Sequence, residues 1–302
     1  MSQFDRRSFF SRTALAALAG PFALARSAPA MDPIDRGRPS HLKLSIAAYS
    51  YRQLLSGENK SMDLFDFADL AADLKLDAIE PTSYYFPEDV DAADMHRLQR
   101  HAFLCGLDIS GTAIRNDYCL PPGPEREQQF DHTRAWIDLA AELHAPVIRI
   151  FAGNVPRGST EDEAVERAIE GIQTVLPYAE QRGVILALEN HGGITATPKQ
   201  MLRLIQAIDH PSFGVNFDSG NFRTEDPYAD LAEIAPYAVN AQVKTEIQRG
   251  SEKEEADLSK IIEILRDAHY SGYVVLEYEA AEDPLKAIPR HVEKLRKIIG
   301  GT

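Results

Sequence analysis

The sequence predicts an α/β fold, a closed (β/α)8 barrel, on three observations. Short apolar runs alternate with amphipathic helical stretches from residue 42 onward, eight such units can be counted, and no linker or change of composition divides them. A barrel of this kind commonly uses about 250 residues as one unit, which fits a single domain over residues 42–302. A doubly wound open sheet is the competitor, but no Gly-x-Gly-x-x-Gly follows the first strand. With 44% hydrophobic and 26% charged residues and no low-complexity tract beyond the first forty, the chain is neither disordered, collagenous nor repetitive.

Residues 1–30 read as a twin-arginine export signal. Arg6-Arg7 precedes an apolar stretch too short to span a bilayer, Gly20-Pro21 interrupts it, and small residues ending Ala28-Pro29-Ala30 offer a cleavage site. The expectation is a periplasmic protein with no stable membrane insertion once the signal is removed, and residues 31–41 form a short linker. Loss of residues 1–30 leaves 28 basic against 45 acidic residues, a net charge of −17. Such a surface excludes nucleic acid as a partner, because a phosphate backbone is bound by clustered Lys and Arg. It also disfavours phosphorylated metabolites, so the expected ligand is a neutral sugar or polyol. Cys105 and Cys119 fall far apart on the predicted elements and are expected as two free thiols.

The predicted strands are 44–50, 78–82, 108–114, 147–151, 184–190, 213–219, 239–246 and 273–278, each a β-branched or aromatic-rich run bounded by turn residues. Helices follow Ser61-Met62-Asp63, Asp91, Glu127, Thr160-Glu161-Asp162-Glu163, Thr197-Pro198, Asp226-Pro227 and Leu258. Thr160 with Glu163 is a capping box, and Thr197 and Asp226 each precede a proline at the first helical position. Gly106, Gly183 and Gly272 mark helix ends that take a left-handed cap. Trp136 falls in a helical pattern and is assigned to outer packing, and Glu252-Lys253-Glu254-Glu255 to a solvated loop or helix face.

In such barrels the chemistry lies where the strands end. The fifth strand ends Leu188-Glu189-Asn190-His191, the sixth Phe217-Asp218-Ser219-Gly220-Asn221, the seventh Gln242-Val243-Lys244 and the eighth Leu276-Glu277-Tyr278. Counting by twos, Ile185, Ala187 and Glu189 share one face, as do Tyr273, Val275 and Glu277. Three carboxylates in one partly dry space call for protons, cationic partners such as Arg149 and Lys244, or one divalent metal ion. Oxygen ligands suit Mg or Mn, and an imidazole would extend the choice to Co or Zn.

This order of Glu, Asp, a fourth ligand and Glu resembles the xylose-isomerase-like TIM barrels, which include sugar isomerases, ketose 3-epimerases, inosose-processing enzymes and 3-dehydroshikimate dehydratases. The resemblance covers the whole chain after residue 41 and implies a divalent metal held by Glu189, Asp218, Gln242 and Glu277, with Glu189 and Glu277 as catalytic proton carriers of an isomerase or epimerase. Gln242 stands where the family usually has histidine, as in the dehydratases that resemble it, which makes a lyase the alternative. Asn221 stands where the epimerases have a substrate-contacting histidine. The metal-dependent apurinic endonucleases share the barrel but need more histidines and a basic surface, and a non-catalytic sugar-binding barrel is the remaining reading. Substrate contacts are expected from Glu80, His191, Asn221, Lys244 and Glu246, the last also a possible metal ligand. Tyr84 and Tyr85 wall the pocket or pack as a lid. The family is frequently oligomeric, so a homo-oligomer is possible.

Overall fold

Nearly every residue of the barrel strands is buried, as expected where helices cover a parallel sheet outside and side chains fill it inside. The structure is a computed structural model describing residues 31–58 and 60–300. The export-signal reading of residues 1–30 lies outside the described residues. Among the described residues no helix is long and apolar enough to cross a membrane.

The barrel strands are β1 (Leu42–Ala47), β2 (Ala78–Glu80), β3 (Asp108–Ile109), β4 (Thr112–Ala113), β5 (Val147–Ile150), β6 (Ile185–Glu189), β7 (Phe213–Asp218) and β8 (Ala238–Lys244), then β11 (Gly272–Glu277). Between β8 and β11 an antiparallel hairpin, β9 (Glu246–Arg249) and β10 (Glu252–Glu255), stands apart from the barrel. The parallel order is β3-β2-β1-β11-β8-β7-β6-β5-β4. Its two ends are halves of one strand: β3 pairs with β2 and β4 with β5, so the sheet closes through the third strand.

That strand was expected to run unbroken over 108–114. It divides at Ser110-Gly111, where a Cβ on Gly111 would lie 3.1 Å from the Val147 carbonyl and 3.5 Å from Glu80 Oε2. The first strand also ends early, at Ala47, and turns into a 3-10 turn and α1 (Arg52–Leu55). The seventh ends at Lys244 rather than at residue 246, and the Glu252–Glu255 run is the exposed outer strand of the hairpin rather than a loop or helix face.

The outer layer is α2 (Leu64–Asp73), α3 (Ala92–Leu104), α4 (Pro124–Leu143), α5 (Glu161–Arg182), α6 (Pro198–Gln206), α7 (Pro227–Ile234), α8 (Leu258–Asp267) and α9 (Pro284–Gly300). Helix α4 begins at Pro124, four residues before the expected start after Glu127. Thr160 and Glu163 bond reciprocally and the Thr197 hydroxyl accepts from the Gln200 backbone, as expected, and Gly183 takes the left-handed cap of α5; after α8, however, His269 takes the left-handed position and Gly272 opens β11 instead of capping the helix. Trp136 packs edge-on to Phe86 in the outer layer. Cys105 and Cys119 are both free thiols.

Residues 31–41 lie along the underside of the barrel. The Ile34 N–H donates to the Pro236 carbonyl at 3.0 Å, and Arg36 donates to the Ala238 carbonyl with its guanidinium 5.4 Å from the Tyr270 ring centroid. These contacts sit at the N-terminal ends of β8 and β11, the stabilising face of such a barrel.

Candidate active site

Two polar layers fill the C-terminal half of the barrel. The deeper one is a ring of four side chains with almost no solvent contact: Glu80, Asn216, Asn240 and Gln242. Asn240 Nδ2 donates to Glu80 Oε2 and to Asn216 Oδ1, both at 2.8 Å; Gln242 Nε2 donates to Glu80 Oε1 at 2.5 Å; Asn216 Nδ2 donates to Gln242 Oε1 at 2.7 Å. Two expectations are thereby corrected. Glu80 is fully buried with both oxygens taken by amides, so no sugar hydroxyl reaches it. Gln242, opposite Asp218 in the β7–β8 register, turns its two amide atoms to Glu80 and Asn216 rather than toward the other carboxylates. Asn216 and Asn240 were overlooked, although each lies two residues before a singled-out residue, the spacing that puts a polar group on the same strand face one layer deeper.

The upper layer contains Glu189, Asp218 and Glu277, brought together as expected. Arg149 Nε lies 2.7 Å from Glu189 Oε2, with Nη1 donating to the Ile114 carbonyl and the guanidinium 4.0 Å from the Phe151 ring centroid. Lys244 Nζ lies 3.1 Å from Asp218 Oδ2, 3.4 Å from Glu277 Oε2 and 3.2 Å from Glu279 Oε1. Asn221 joins the two halves: its Nδ2 donates to Glu189 Oε1 at 2.8 Å and its Oδ1 accepts from Lys244 Nζ at 3.0 Å. The Asn190 amide closes the strand ends by bonding the Asp218 backbone N–H and carbonyl, both at 2.9 Å. Asn221 and Lys244 are thus inside the cluster. Glu246 is not: it pairs with Lys253 of the hairpin at the rim.

Burial dominates the electrostatics. It raises Glu80 and Asp218 to about 7 against the pull of the Asn240 and Gln242 amides on the one and of Lys244 on the other. Glu189 and Glu277 shift the same way for the same reason, opposed chiefly by Arg149 and Lys244 respectively. Burial also works against the charge of Lys244, but the surrounding carboxylates, Asp218 first, outweigh it and hold its pKa well above the ordinary value. The His191 imidazole is lowered to about 4 by burial and then by Arg149 and Lys244, so it is neutral at pH 7.

A stability prediction follows from these carboxyls. With native pKa values raised from about 4 to about 7, the folded chain holds protons that the unfolded chain has lost between those values. Stability is therefore fully present below about pH 4 as far as these groups are concerned, and is lost as pH rises through about 7. The urea midpoint is expected to be higher at pH 5.5 than at pH 8, and a higher midpoint at pH 8 would contradict the placement of these groups.

Three cavities open at the same end of the barrel. One of about 470 Å³ is lined by Arg115, Asn116, Phe151, Asn154, His191 and Thr195 among others. Another of about 520 Å³ is walled by Tyr49, Arg52, Tyr84, Tyr85 and Arg115. The third, about 270 Å³, lies over Asn221, Lys244, Glu246, Lys253 and Glu279. His191 packs at a tilt against Phe151, ring centroids 4.3 Å apart, and Tyr84 accepts from Arg149, so the expected contact residue His191 and the expected wall residue Tyr84 both face a cavity.

Glu189, Asp218 and Glu277 offer three carboxylates to a divalent cation, although their oxygens do not all lie within 4.8 Å of one another here. The buried oxygens without an aligned hydrogen bond, Glu189 Oε2 and Asp218 Oδ2, are the ones that Arg149 and Lys244 approach at 2.7 and 3.1 Å. Glu189, Asp218 and Glu277 supply hard oxygens of the kind that Mg or Mn prefers. A separate trio, Asp69, His101 and Cys105, brings its ligand atoms within 4.8 Å of one another on α2 and at the end of α3, the opposite end of the barrel from the carboxylates.

A family model described as xylose isomerase-like TIM barrel matches residues 68–298. The 3-oxo-isoapionate decarboxylase of Pectobacterium atrosepticum is 26% identical over 164 residues, 53% of this chain and 53% of that protein, so the match spans about half of the relative's length. A D-psicose 3-epimerase from Clostridium cellulolyticum H10, solved with D-tagatose, superposes with a TM-score of 0.67 at 16% identity over 86% of this chain and 92% of that one. A xylose isomerase-like TIM barrel protein from Mycobacterium smegmatis in complex with magnesium superposes with a TM-score of 0.66 at 17% identity over 86% and 97%. At these identities the superpositions speak for the fold. The family match over most of its length shows that the chain belongs to the xylose isomerase-like TIM barrel family.

Proposed function

We propose that the chain is an isomerase or epimerase that moves a proton at a carbon next to the carbonyl of a keto-sugar or cyclic polyol derivative, through an enediolate-type intermediate. The observation that carries this reading is the pair Glu189 and Glu277, both buried and both shifted by burial toward neutral pKa values. A carboxyl poised near neutrality both takes and returns a proton at physiological pH. The two stand on β6 and β11, flanking Asp218 and Lys244 in the strand order, so one takes the proton and the other delivers it from a different direction. The Lys244 ammonium lies among them, available to stabilise negative charge developing on a substrate oxygen. A divalent ion held by Glu189, Asp218 and Glu277 would supply Lewis-acid polarisation of the substrate carbonyl. Arg149 keeps Glu189 oriented, and Phe151, His191 and Tyr84 offer apolar and polar walls to a sugar ring.

The epimerase neighbour solved with a ketose supports this class. The lyase alternative rested on Gln242, which lies in the deeper ring, so the structure supplies no reason to prefer it. Export by the twin-arginine route to the periplasm remains part of the proposal, on the strength of Arg6-Arg7 and the apolar stretch after it. A neutral, unphosphorylated substrate accords with that compartment and with the acidic chain.

The test is deuterium uptake from D₂O, followed by NMR across keto-sugars, inososes and dehydroshikimate, with and without Mg²⁺ or Mn²⁺. Exchange at one carbon of one compound is expected. A folded protein inert toward the whole panel would count against the proton-transfer reading.

A further inference from the structure

The tetrapeptide Asp218-Ser219-Gly220-Asn221 is built around one lysine. Asp218 pairs with the Lys244 ammonium, the Ser219 hydroxyl accepts from the Lys244 backbone N–H at 2.8 Å, and Asn221 Oδ1 accepts from Nζ. Gly220 makes room for the stem: a Cβ there would lie 2.7 Å from Lys244 Cδ and 3.1 Å from its Cβ. Its φ is not positive, so what glycine supplies here is space, toward the Lys244 stem and toward the Glu246 carbonyl, 3.0 Å from where a Cβ would lie. The result is an ammonium with four oxygens at 3.0–3.4 Å, those of Asp218, Glu277, Glu279 and Asn221.

Two of the three carboxylates that would hold a divalent ion are therefore already engaged by a cation of the chain itself. Metal-to-oxygen distances are about 2.0–2.1 Å for Mg²⁺, so an ion on Asp218 and Glu277 would sit close against the present Nζ position. At such separations the repulsion between the two positive charges is large in a dry site. We propose that Lys244 occupies the cation position of this site, so that its ammonium and a divalent ion compete for Asp218 and Glu277. When the ion binds, the side chain withdraws into the cavity of about 270 Å³ beside it, where Glu246 and Glu279 offer carboxylates. The proposal rests on the functional reading above only in taking the three carboxylates as the working cluster.

The test is titration of the full chain with Mn²⁺, bound ion being measured by loss of the free-ion EPR signal and by calorimetry. Lys244→Met is expected to tighten Mn²⁺ binding at least tenfold over the wild type. Arg115→Met, which removes a charge at the mouth that contacts no carboxylate, is expected to change it less than about twofold. Unchanged or weaker binding in folded Lys244→Met overturns the proposal, as does an equal gain in Arg115→Met. If Lys244→Met does not fold, Gly220→Ala decides: it keeps every charge but displaces the lysine stem, and it too should bind Mn²⁺ more tightly. Tight Mn²⁺ binding by the wild type, unchanged in the variants, would overturn the competition while leaving the metal site standing. Failure of every variant to bind Mn²⁺ would overturn both.

Discussion

Glu277→Gln is expected to lower the rate of substrate C–H exchange by about 10²–10⁴-fold, the span associated with loss of one positioned acid or base. The amide keeps the shape of the side chain and its place opposite Lys244 in the β8–β11 ladder, so the loss reads on proton transfer rather than on folding. Glu189→Gln should fall by a comparable factor. Its effect carries a second component, because the amide no longer neutralises Arg149, whose nitrogen sits 2.7 Å away. Single-turnover exchange measured with each variant checks both, alongside thermal melts confirming that each is folded. Exchange within about threefold of the wild type in either variant would remove that residue from the mechanism.

Arg149→Met should cost about 3–5 kcal/mol of folding stability, the range for stripping one partner from a buried ion pair. Arg149 is buried, so its loss leaves the Glu189 carboxylate without its nearest cation and the Ile114 carbonyl without its donor. The double variant Arg149→Met/Glu189→Gln removes the stranded charge as well and is expected to recover much of that loss. Urea unfolding of the two single variants and the double supplies the coupling energy. Additive losses would mean that the pair does not act as a unit.

The carboxylates of the upper layer were legible because two simple rules suffice: side chains alternate along a strand, and strand ends carry the chemistry. Those rules give a face and an end but no depth. Gln242 and Glu80 obey the alternation yet close on Asn216 and Asn240 a layer below, where amide geometry rather than spacing decides the partners. Lys244 could be named as a counter-charge from sequence, but its contacts to four oxygens depend on how far Gly220 lets its stem approach. The break in the third strand falls at Ser110-Gly111, and the interior glycine is the signal that the reading of 108–114 as one strand passes over. The β9–β10 hairpin had no apolar alternation to announce it, since Glu252–Glu255 is exposed throughout.

The divided third strand gives the barrel an uneven tempo. Long ladders join β7 to β8 and β8 to β11, whereas closure on the far side depends on two residues in β3 and two in β4. Backbone amides of the short segments should exchange with solvent through local opening, well before those of the long ladders, which wait for larger unfolding events. The Ile114 carbonyl that holds Arg149 follows directly on β4, and Arg115 and Asn116 after it line one cavity. Breathing at this seam would thus move the partner of Glu189 and the mouth together, making the shortest strand of the barrel the place where its interior first meets solvent.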